Sequence, residues 1–400
     1  MKYKISIIIP VFNVENYIRK ALESIMSQTI GYEHLEVIMV DDCSTDESGD
    51  IIDEYADKYD NFKAIHLSKN SGNPGKPKNI GLKIATSDYL MFLDADDYYA
   101  DDACEILYKK IIKEDVDIVS SNYITVFENR TEFYERYKDI EEINVKKIHD
   151  EPKLLAVSHM HWTKIYKRHF ILDNGIQFIE DIPNDDLVFV VNAFLEADGI
   201  IYLDKHVAVN YSRICESEGI ASVSRAKDMK TLKFMTYGYI ETFNLLKKFK
   251  KKEYFPIVFR AHLQFWANNF ITSHLTYREK NELLEEIAIL FEEFSQYGIN
   301  PNHNYLIPFF WSISNKEYNQ AISISESLKD LLITKQNLES RKFNLENQLK
   351  ITLAEKSRLE KELNRTKEEL SKNLSTIGYL KYKSKNIVSR TENKLKNKRL

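Results

Sequence analysis

The sequence predicts an α/β fold: a mixed, mostly parallel sheet with flanking helices, followed by a helical region and a C-terminal coiled coil. Three observations support this prediction. Strand and helix patterns alternate through the first 120 residues, helical spacing takes over from about residue 226, and leucines recur at heptad spacing beyond about residue 325. Alternating strands and helices are typical of a parallel sheet, because each crossover helix covers the strands that it joins.

Five segments are predicted to be strands, and the one at 5–12 is continuous and β-branched, as is typical of a strand buried on both faces of a sheet. They cover residues 5–12, 35–40, 62–67, 89–94 and 200–211. The predicted helices cover residues 14–29, 45–59, 80–85, 101–114 and 185–197. Residues 128–160 are polar and less periodic, and we expect them to form loops that leave the sheet.

Composition shifts divide the chain. We predict an α/β domain at 1–225, a helical domain at 226–320, a coiled-coil helix at 321–380 and a basic tail at 381–400. With 400 residues, 43% of them hydrophobic, the chain can fill more than one core.

Charge and cysteine content exclude some classes of protein. The formal net charge of -5 argues against nucleic acid as a partner. The three cysteines, Cys43, Cys104 and Cys215, lie far apart, as expected for a reducing compartment. No run approaches the roughly 18 apolar residues of a membrane span. We therefore expect a cytoplasmic chain.

The C-terminal leucines follow a heptad. Leu349, Leu363, Leu370 and Ile377 share one register, and Leu338, Leu345 and Leu359 share its companion. This pattern predicts a coiled coil that makes homo-oligomers, although a long solvated helix lying against the body is the alternative. The basic tail either contacts anionic lipid at the inner face of the membrane or is solvated.

Acidic residues close the strand at 89–94. If the backbone stays extended, Asp94 and Asp96 point to the same side, because side chains alternate along a strand. Such a pair suits Mg²⁺ or Mn²⁺ together with a diphosphate. The alternative is helix capping, which Asp97, Asp101 or Asp102 could provide for the helix at 101–114.

Other polar residues follow neighbouring strands, and ligands bind beyond the carboxyl ends of parallel strands. Asp42 could accept hydrogen bonds from a base or ribose, or else cap the next helix. Phe12 could offer a flat face to a nucleobase, or else belong to the core. Lys76 and Lys78 place positive charge at a helix start, where a diphosphate could rest.

Together these motifs resemble a known family. IIIPVFN, VDDCSTDES, the KN-x-G of KNIG and FLDADD, in this order, are similar to the nucleotide-sugar domain of family 2 glycosyltransferases with the GT-A fold, over residues 3–213. The resemblance implies an inverting transfer of a sugar from a UDP-sugar donor, with Mn²⁺ or Mg²⁺ as cofactor.

The resemblance also implies roles for single residues. Asp94 would reach ribose and metal, Asp96 would be the main metal ligand, and Lys78 would contact the diphosphate. The family more often has tyrosine at position 12 and arginine at position 78. Lysine keeps the positive charge of arginine but cannot make its bidentate contact with a phosphate group. The implied nucleoside-binding residues are Pro10, Phe12, Asn13, Glu15, Asp42 and Asn70.

Residues 161–178 and 184–197 resemble the acceptor-side region of the family. Asp186 would be the general base that takes a proton from the acceptor hydroxyl; the alternative is that it caps the helix at 185–197. His161, Trp162 and Lys164 are placed beside the acceptor cleft without a catalytic role. Arg213 and residues 214–224 are expected to close over the donor.

The GNPGKPKN loop and the added C-terminal helices resemble bacterial wall, capsule and teichoic-acid glycosyltransferases. We therefore expect a metal-dependent hexosyl- or N-acetylhexosaminyltransferase that acts on a surface glycan or glycopolymer. The alternative is an inactive scaffold or coiled-coil assembly protein in a polysaccharide biosynthesis complex.

Overall fold

A computed structural model describes residues 2–127, 130–133, 136–137, 140–157, 160–180, 185–212, 227–298 and 301–396. The chain divides into two compact units, Met1–Lys329 and Asp330–Leu400. The first contains the sheet and most of the helices. The second belongs to one long helix.

The described strands form one sheet of ten strands. They are β1 (Ile5–Val11), β2 (Leu35–Asp41), β3 (Phe62–His66), β4 (Tyr89–Phe92), β5 (Tyr98–Tyr99), β6 (Ile118–Phe127), β7 (Arg130–Phe133), β8 (Glu142–Val145), β9 (Lys164–Lys167) and β10 (Ile200–Ser212). Their order is β3-β2-β1-β4-β9-β6-β10-β5, with β7 paired to β6 and β8 to β10.

The α-helices lie between and after these strands. They are α1 (Ile18–Met26), α2 (Ser48–Lys58), α3 (Gly75–Ile84), α4 (Ala103–Glu114), α5 (Leu154–Val157), α6 (Arg168–Asp173), α7 (Asp185–Glu196), α8 (Met229–Lys248), α9 (Phe255–Thr272), α10 (Tyr277–Gln296), α11 (Ile307–Ser314) and α12 (Tyr318–Lys396).

The β3-β2-β1-β4 half of the sheet is parallel. Every residue of β2 is buried, Glu36 and Asp41 included, so this strand is covered on both faces of the sheet. The other half is mixed, because β9 pairs antiparallel with both β4 and β6, whereas β10 runs parallel to β6. The prediction of a mostly parallel sheet therefore holds for the first half only.

Two local expectations were wrong. β4 ends at Phe92, and the amide of Asp97 donates to the carbonyl of Asp94 at 3.0 Å, so the DADD segment is a turn rather than an extended strand. Residues 128–160 do not form loops alone, because β7 and β8 lie within them and extend the sheet. Polar edge strands carry too weak a hydrophobic pattern to be recognised.

A close approach fixes α3 against the sheet. A Cβ atom on Gly81 would lie 2.4 Å from the Cγ2 atom of Ile8 on β1. Only glycine permits this contact, which places the first turn of α3 near the edge where β1 and β4 end.

The helical region carries an aromatic core of its own. Trp266 on α9 is fully buried, stacks on Phe270 and donates its indole N–H to the hydroxyl of Thr236 at 2.9 Å. α12 begins with buried residues, including Ala321, Ile322 and Leu332.

Further along α12 the leucines are exposed. The exposed fractions of Leu338, Leu345, Leu349, Leu359 and Leu363 lie between 54% and 60%. These side chains leave a stripe that a coiled coil would bury, and the coiled coil itself stays a prediction. Among the described residues, no helix is long and apolar enough to cross a membrane.

Candidate active site

The turn after β1 is tied to the loop after β2. Asn13 has a positive φ of 51°, and its side-chain oxygen accepts a hydrogen bond from the amide of Thr45 at 2.8 Å. Glu15 accepts from the amide of Glu47 at 2.9 Å. These bonds hold the PVFN and DDCSTDES motifs together at the carboxyl edge of the parallel strands.

Asp42 and Asn70 meet, as predicted. The side chain of Asn70 donates to the carbonyl of Asp42 at 3.0 Å, and Ser71 donates to both carboxylate oxygens of Asp42 at 2.8 Å. Asp42 is only 3% exposed. Its carboxylate therefore binds the loop that follows β3, rather than capping α2.

Phe12 is 46% exposed, which rules out the alternative that it belongs to the core. Pro10 is half-buried and lies opposite Val40 in the register of β1 and β2. An exposed aromatic ring at the end of a buried strand is available to stack on a flat ligand.

Asp94 and Asp96 lie close enough to repel each other. Burial, together with the charge of Asp94, raises the pKa of Asp96 to about 6. The side chain of Asp94 is 30% exposed. Two partly buried carboxylates that repel each other favour binding of a cation.

The first turn of α3 is clamped to the segment that precedes α7. The side-chain amide of Asn79 donates to the carbonyl of Phe178 at 2.9 Å, and its oxygen accepts from the amide of Phe178 at 3.0 Å. Asn73 also donates to the carbonyl of Glu180. A Cβ atom on Gly75 would collide with the carbonyl of Ile179 at 2.2 Å, so this approach requires glycine.

This clamp brings Lys78 to Asp186. The Nζ atom of Lys78 lies 2.8 Å from Oδ1 of Asp186, and Lys78 is only 1% exposed. Both residues were predicted to belong to the site, but no pattern in the sequence predicted that they would pair. Lys78 also lies over the ring of Phe178, at 4.7 Å from its centroid.

His161 lies between the two acidic groups. Its Nδ1 atom is 2.9 Å from Oδ1 of Asp186, and its Nε2 atom is 3.7 Å from Oδ1 of Asp94. The imidazole is fully buried, yet neither nitrogen makes a hydrogen bond of regular geometry. A buried polar ring without such a bond is costly unless ligand binding completes its surroundings.

Aromatic rings hold His161 in place. Phe92 and Phe178 contact the imidazole edge-on at centroid distances of 5.5 and 5.3 Å. Phe178 in turn stacks face to face on Phe189 of α7, with centroids 4.0 Å apart. The orientation of the imidazole is therefore set by packing.

The sequence did not assign a catalytic role to His161, because a lone histidine carries no chemical signal without its neighbours. Its neighbours in the chain are structural. Trp162 is buried and stacks on Tyr211, and Lys164 is buried with its Nζ donating to the carbonyl of Met160.

The electrostatics of Asp186 reflect two opposing effects. Burial disfavours the charged carboxylate, but the interactions with His161 and Lys78 outweigh burial and hold the pKa of Asp186 well below its usual range. The side chain remains 26% exposed, so one side of the carboxylate is open.

Two sets of residues near this site could hold a divalent cation. One ligand atom each of Asp94, His161 and Asp186 lie within 4.8 Å of one another. However, Lys78 already occupies Oδ1 of Asp186, and an ammonium group repels a cation. The oxygen donors Asp94 and Asp96 suit Mg²⁺ or Mn²⁺ better, because these hard cations prefer carboxylate oxygens. Arg213 and residues 214–224 lie outside the described residues.

A protein-family model matches this region. The model is described as glycosyl transferase family 2, and it matches residues 6–173.

Curated proteins resemble the same half of the chain. A poly(ribitol-phosphate) beta-glucosyltransferase of Bacillus spizizenii is 35% identical over 202 residues, which cover 49% of this chain and 30% of the relative. A poly(ribitol-phosphate) beta-N-acetylglucosaminyltransferase of Staphylococcus aureus, TarS, is 31% identical over 223 residues, which cover 55% and 37%. The chain thus matches about a third of the length of these relatives.

A solved structure extends the likeness into the helical region. Residues 1–349 of S. aureus TarS in complex with UDP-GlcNAc match with a TM-score of 0.65 and 25% identity, over 82% of this chain and 92% of that one. This chain therefore has a GT-A-like mixed sheet with flanking helices, followed by a helical region.

Proposed function

From the glycosyl transferase family 2 domain that residues 6–173 form, we propose that this chain is an inverting glycosyltransferase. It moves a sugar from a UDP-sugar donor to a hydroxyl group of a glycopolymer. The relatives named as poly(ribitol-phosphate) transferases support a polyol-phosphate polymer as the acceptor and glucose or N-acetylglucosamine as the sugar.

One observation carries the proposal. Oxygen atoms of Asp94, on the donor side, and Asp186, on the acceptor side, lie within 4.8 Å of each other with His161 between them. The acceptor oxygen must approach the anomeric carbon, which carries the diphosphate, to about 3 to 3.5 Å, so a metal-binding acid and a base this close together can serve the two ends of one direct transfer.

The nucleoside end of the donor binds at the first two strand ends. The exposed ring of Phe12 stacks on the uracil, with Pro10 beside it. Asp42 and Asn70, which are hydrogen-bonded to each other, line the base pocket, and the linked turns at Asn13 and Glu15 hold the pocket in shape.

The diphosphate binds between Lys78 and the DADD turn. Asp94 and Asp96 would hold a divalent cation there. When bound, Mg²⁺ or Mn²⁺ neutralises the negative charge that develops on the leaving UDP. Lys78 supplies a further positive charge at the start of α3.

Asp186 acts as the general base. It accepts the proton of the acceptor hydroxyl while that oxygen attacks the anomeric carbon from the face opposite the UDP group. The bond to UDP breaks as the new glycosidic bond forms, so the configuration inverts. His161, held by the phenylalanine rings, keeps the Asp186 carboxylate in one orientation.

The second unit is proposed to make homo-oligomers through the exposed leucine stripe of α12. Contact of the basic tail with the inner face of the membrane is a further proposal. Neither is required for the reaction.

Release of UDP tests the proposal. The full chain is incubated with UDP-GlcNAc or UDP-glucose, with and without poly(ribitol phosphate), in Mn²⁺ or in EDTA. We expect release that needs both the polymer and the metal. UDP binding without release in any mixture would instead support the inactive scaffold, and a lack of UDP binding would exclude the transferase.

A further inference from the structure

The Lys78–Asp186 ion pair raises a chemical difficulty for the proposed function, on which this inference rests. Oδ1 of Asp186 already has Lys78 at 2.8 Å and His161 at 2.9 Å. A carboxylate held by two such groups is a poor proton acceptor, because they stabilise its charged form. The structure thus shows Asp186 in a state unsuited to the role of a base.

We propose that Lys78 is a shared counter-ion that exchanges partners during the reaction. In the free protein it pairs with Asp186. When the donor binds, the diphosphate draws Lys78 away, which leaves Asp186 free to accept the proton of the acceptor hydroxyl.

The location of Lys78 allows this exchange. It lies in the first turn of α3, where backbone N–H groups and the helix dipole also favour an anion. Its flexible four-carbon stem and compact ammonium group can change direction without a change in the backbone, which an arginine fork would not do as readily.

The exchange avoids leaving a buried charge unpaired. Lys78 is 1% exposed, and an ammonium group without a partner at that depth would be costly. Lys78 pairs with the Asp186 carboxylate before donor binding and with the diphosphate afterwards. The face of Phe178, 4.7 Å from Nζ, stabilises the cation in both positions.

Asp186 is not left without support. His161 stays beside it, because Phe92 and Phe178 pack against the imidazole from the protein interior. The 26% exposed side chain then has one oxygen near His161 and one side open to the acceptor.

The exchange predicts a coupling that can be measured without turnover. Donor binding must break the Lys78–Asp186 pair, so removing the carboxylate should help a diphosphate to bind. We expect Asp186→Asn to tighten UDP binding about tenfold, which corresponds to about 1.4 kcal/mol, within the usual range of coupling between sites. Uridine, which lacks the diphosphate, should bind equally well to both proteins.

A double-mutant cycle separates the exchange from a general electrostatic effect. UDP binding to the full chain is measured by calorimetry for the wild type, Asp186→Asn, Lys78→Gln and the double variant. We expect Asp186→Asn to tighten binding only when Lys78 is present. If Lys78→Gln does not fold, Lys78→Met, which fills the same volume without a polar tip, replaces it.

Two results would overturn the inference. Equal tightening in both backgrounds would mean that Asp186 simply repels the diphosphate, and no tightening in either would mean that Lys78 does not exchange. Both leave the proposed transferase intact, because UDP still binds. A wild-type chain that fails to bind UDP would overturn the proposed function together with this inference.

Discussion

The Nδ1 atom of His161 lies 2.9 Å from the Oδ1 atom of Asp186, although 25 residues separate them in the chain. The imidazole is fully buried, whereas the carboxylate keeps one side open to solvent. The buried imidazole of His161 thus supports the accessible carboxylate of Asp186, as expected where a carboxylate must hold one orientation while it contacts a ligand.

Asp186→Asn should abolish transfer while UDP still binds. The amide keeps the size of the carboxylate but cannot accept a proton, and a general base contributes about 10²- to 10⁴-fold to a rate. Transfer is measured by UDP release and binding by calorimetry. The matched control is Asp198→Asn beyond the other end of α7, an exposed residue paired with Lys147, which should keep the wild-type rate. Transfer by Asp186→Asn at a near-normal rate would remove it from the role of base.

His161→Leu should lower kcat with little change in the KM for the donor, because His161 orients the base and does not bind the nucleotide. His161→Asn should recover part of the rate, since its amide N–H can take the place of Nδ1 beside Asp186. Both variants are compared by steady-state kinetics after thermal unfolding has shown that they fold. Equal rates for the two variants would show that His161 contributes packing only.

Asp96→Asn should stabilise the metal-free protein above pH 6. Because the pKa of Asp96 in the folded protein is raised to about 6, ionisation of this carboxyl group opposes folding. The folded state is therefore favoured at low pH, where Asp96 is neutral, and it loses stability as the pH rises through about 6. The shift corresponds to about 2 to 3 kcal/mol of unfolding free energy at pH 7.5. Denaturant unfolding in EDTA at pH 4 and pH 7.5 measures the difference.

The same variant tests the metal site. Mn²⁺ should stabilise the wild type against unfolding at pH 7.5, because the cation offsets the repulsion between Asp94 and Asp96, and it should stabilise Asp96→Asn much less. An equal response of the two proteins to Mn²⁺ would place the cation elsewhere.

His66 should make the α/β unit sensitive to pH. Its imidazole lies 2.9 Å from Asp53 and 3.0 Å from Asp41, and hydrogen bonds to these two carboxylates raise its pKa above the ordinary value of 6.5. A raised histidine pKa stabilises the folded state fully below pH 6.5, and that contribution is lost as the pH rises through the raised value.

His66→Gln should therefore be destabilised relative to the wild type at pH 6, and the difference should shrink by pH 9. Urea unfolding at the two pH values measures it. His34→Gln serves as control, because His34 is exposed and lies 3.9 Å from Glu33. If the difference in unfolding free energy between His66→Gln and the wild type is the same at both pH values, the ion pairs of His66 with Asp41 and Asp53 do not contribute to stability.

Truncation of α12 should lower the oligomeric state and leave UDP binding intact. A cut at the predicted boundary, residue 320, would remove the buried residues Ala321 and Ile322. A cut after Ile333 keeps them and Leu332, and removes the exposed leucines from Leu338 onward. Light scattering measures the mass, and an unchanged mass after this cut would exclude α12 as the oligomerisation element.

The parallel half of the sheet could be predicted from the sequence because its signal is local. In a run such as LEVIMV, five of the six residues are apolar, and the strand that it forms is buried on both faces. The motifs that resemble family 2 glycosyltransferases singled out Asp94, Asp96, Lys78 and Asp186. The assumption of an extended backbone at Asp94 and Asp96 was wrong, because the amide of Asp97 donates to the carbonyl of Asp94 and closes a turn.

By itself, then, the sequence determined the strands of the parallel half, several of the helices, and the acidic and basic groups that lie at their ends. Only the tertiary structure decided which of those groups meet. β9 enters the sheet antiparallel to β4, with Ile165 opposite Met91, so the residues just before β9 lie at the carboxyl end of β4. That reversal brings His161 beside Asp94, and the packing of α3 against residues 178–180 brings Lys78 to Asp186. Such contacts depend on strand order and helix packing, which are set by the whole core and not by any local run of residues.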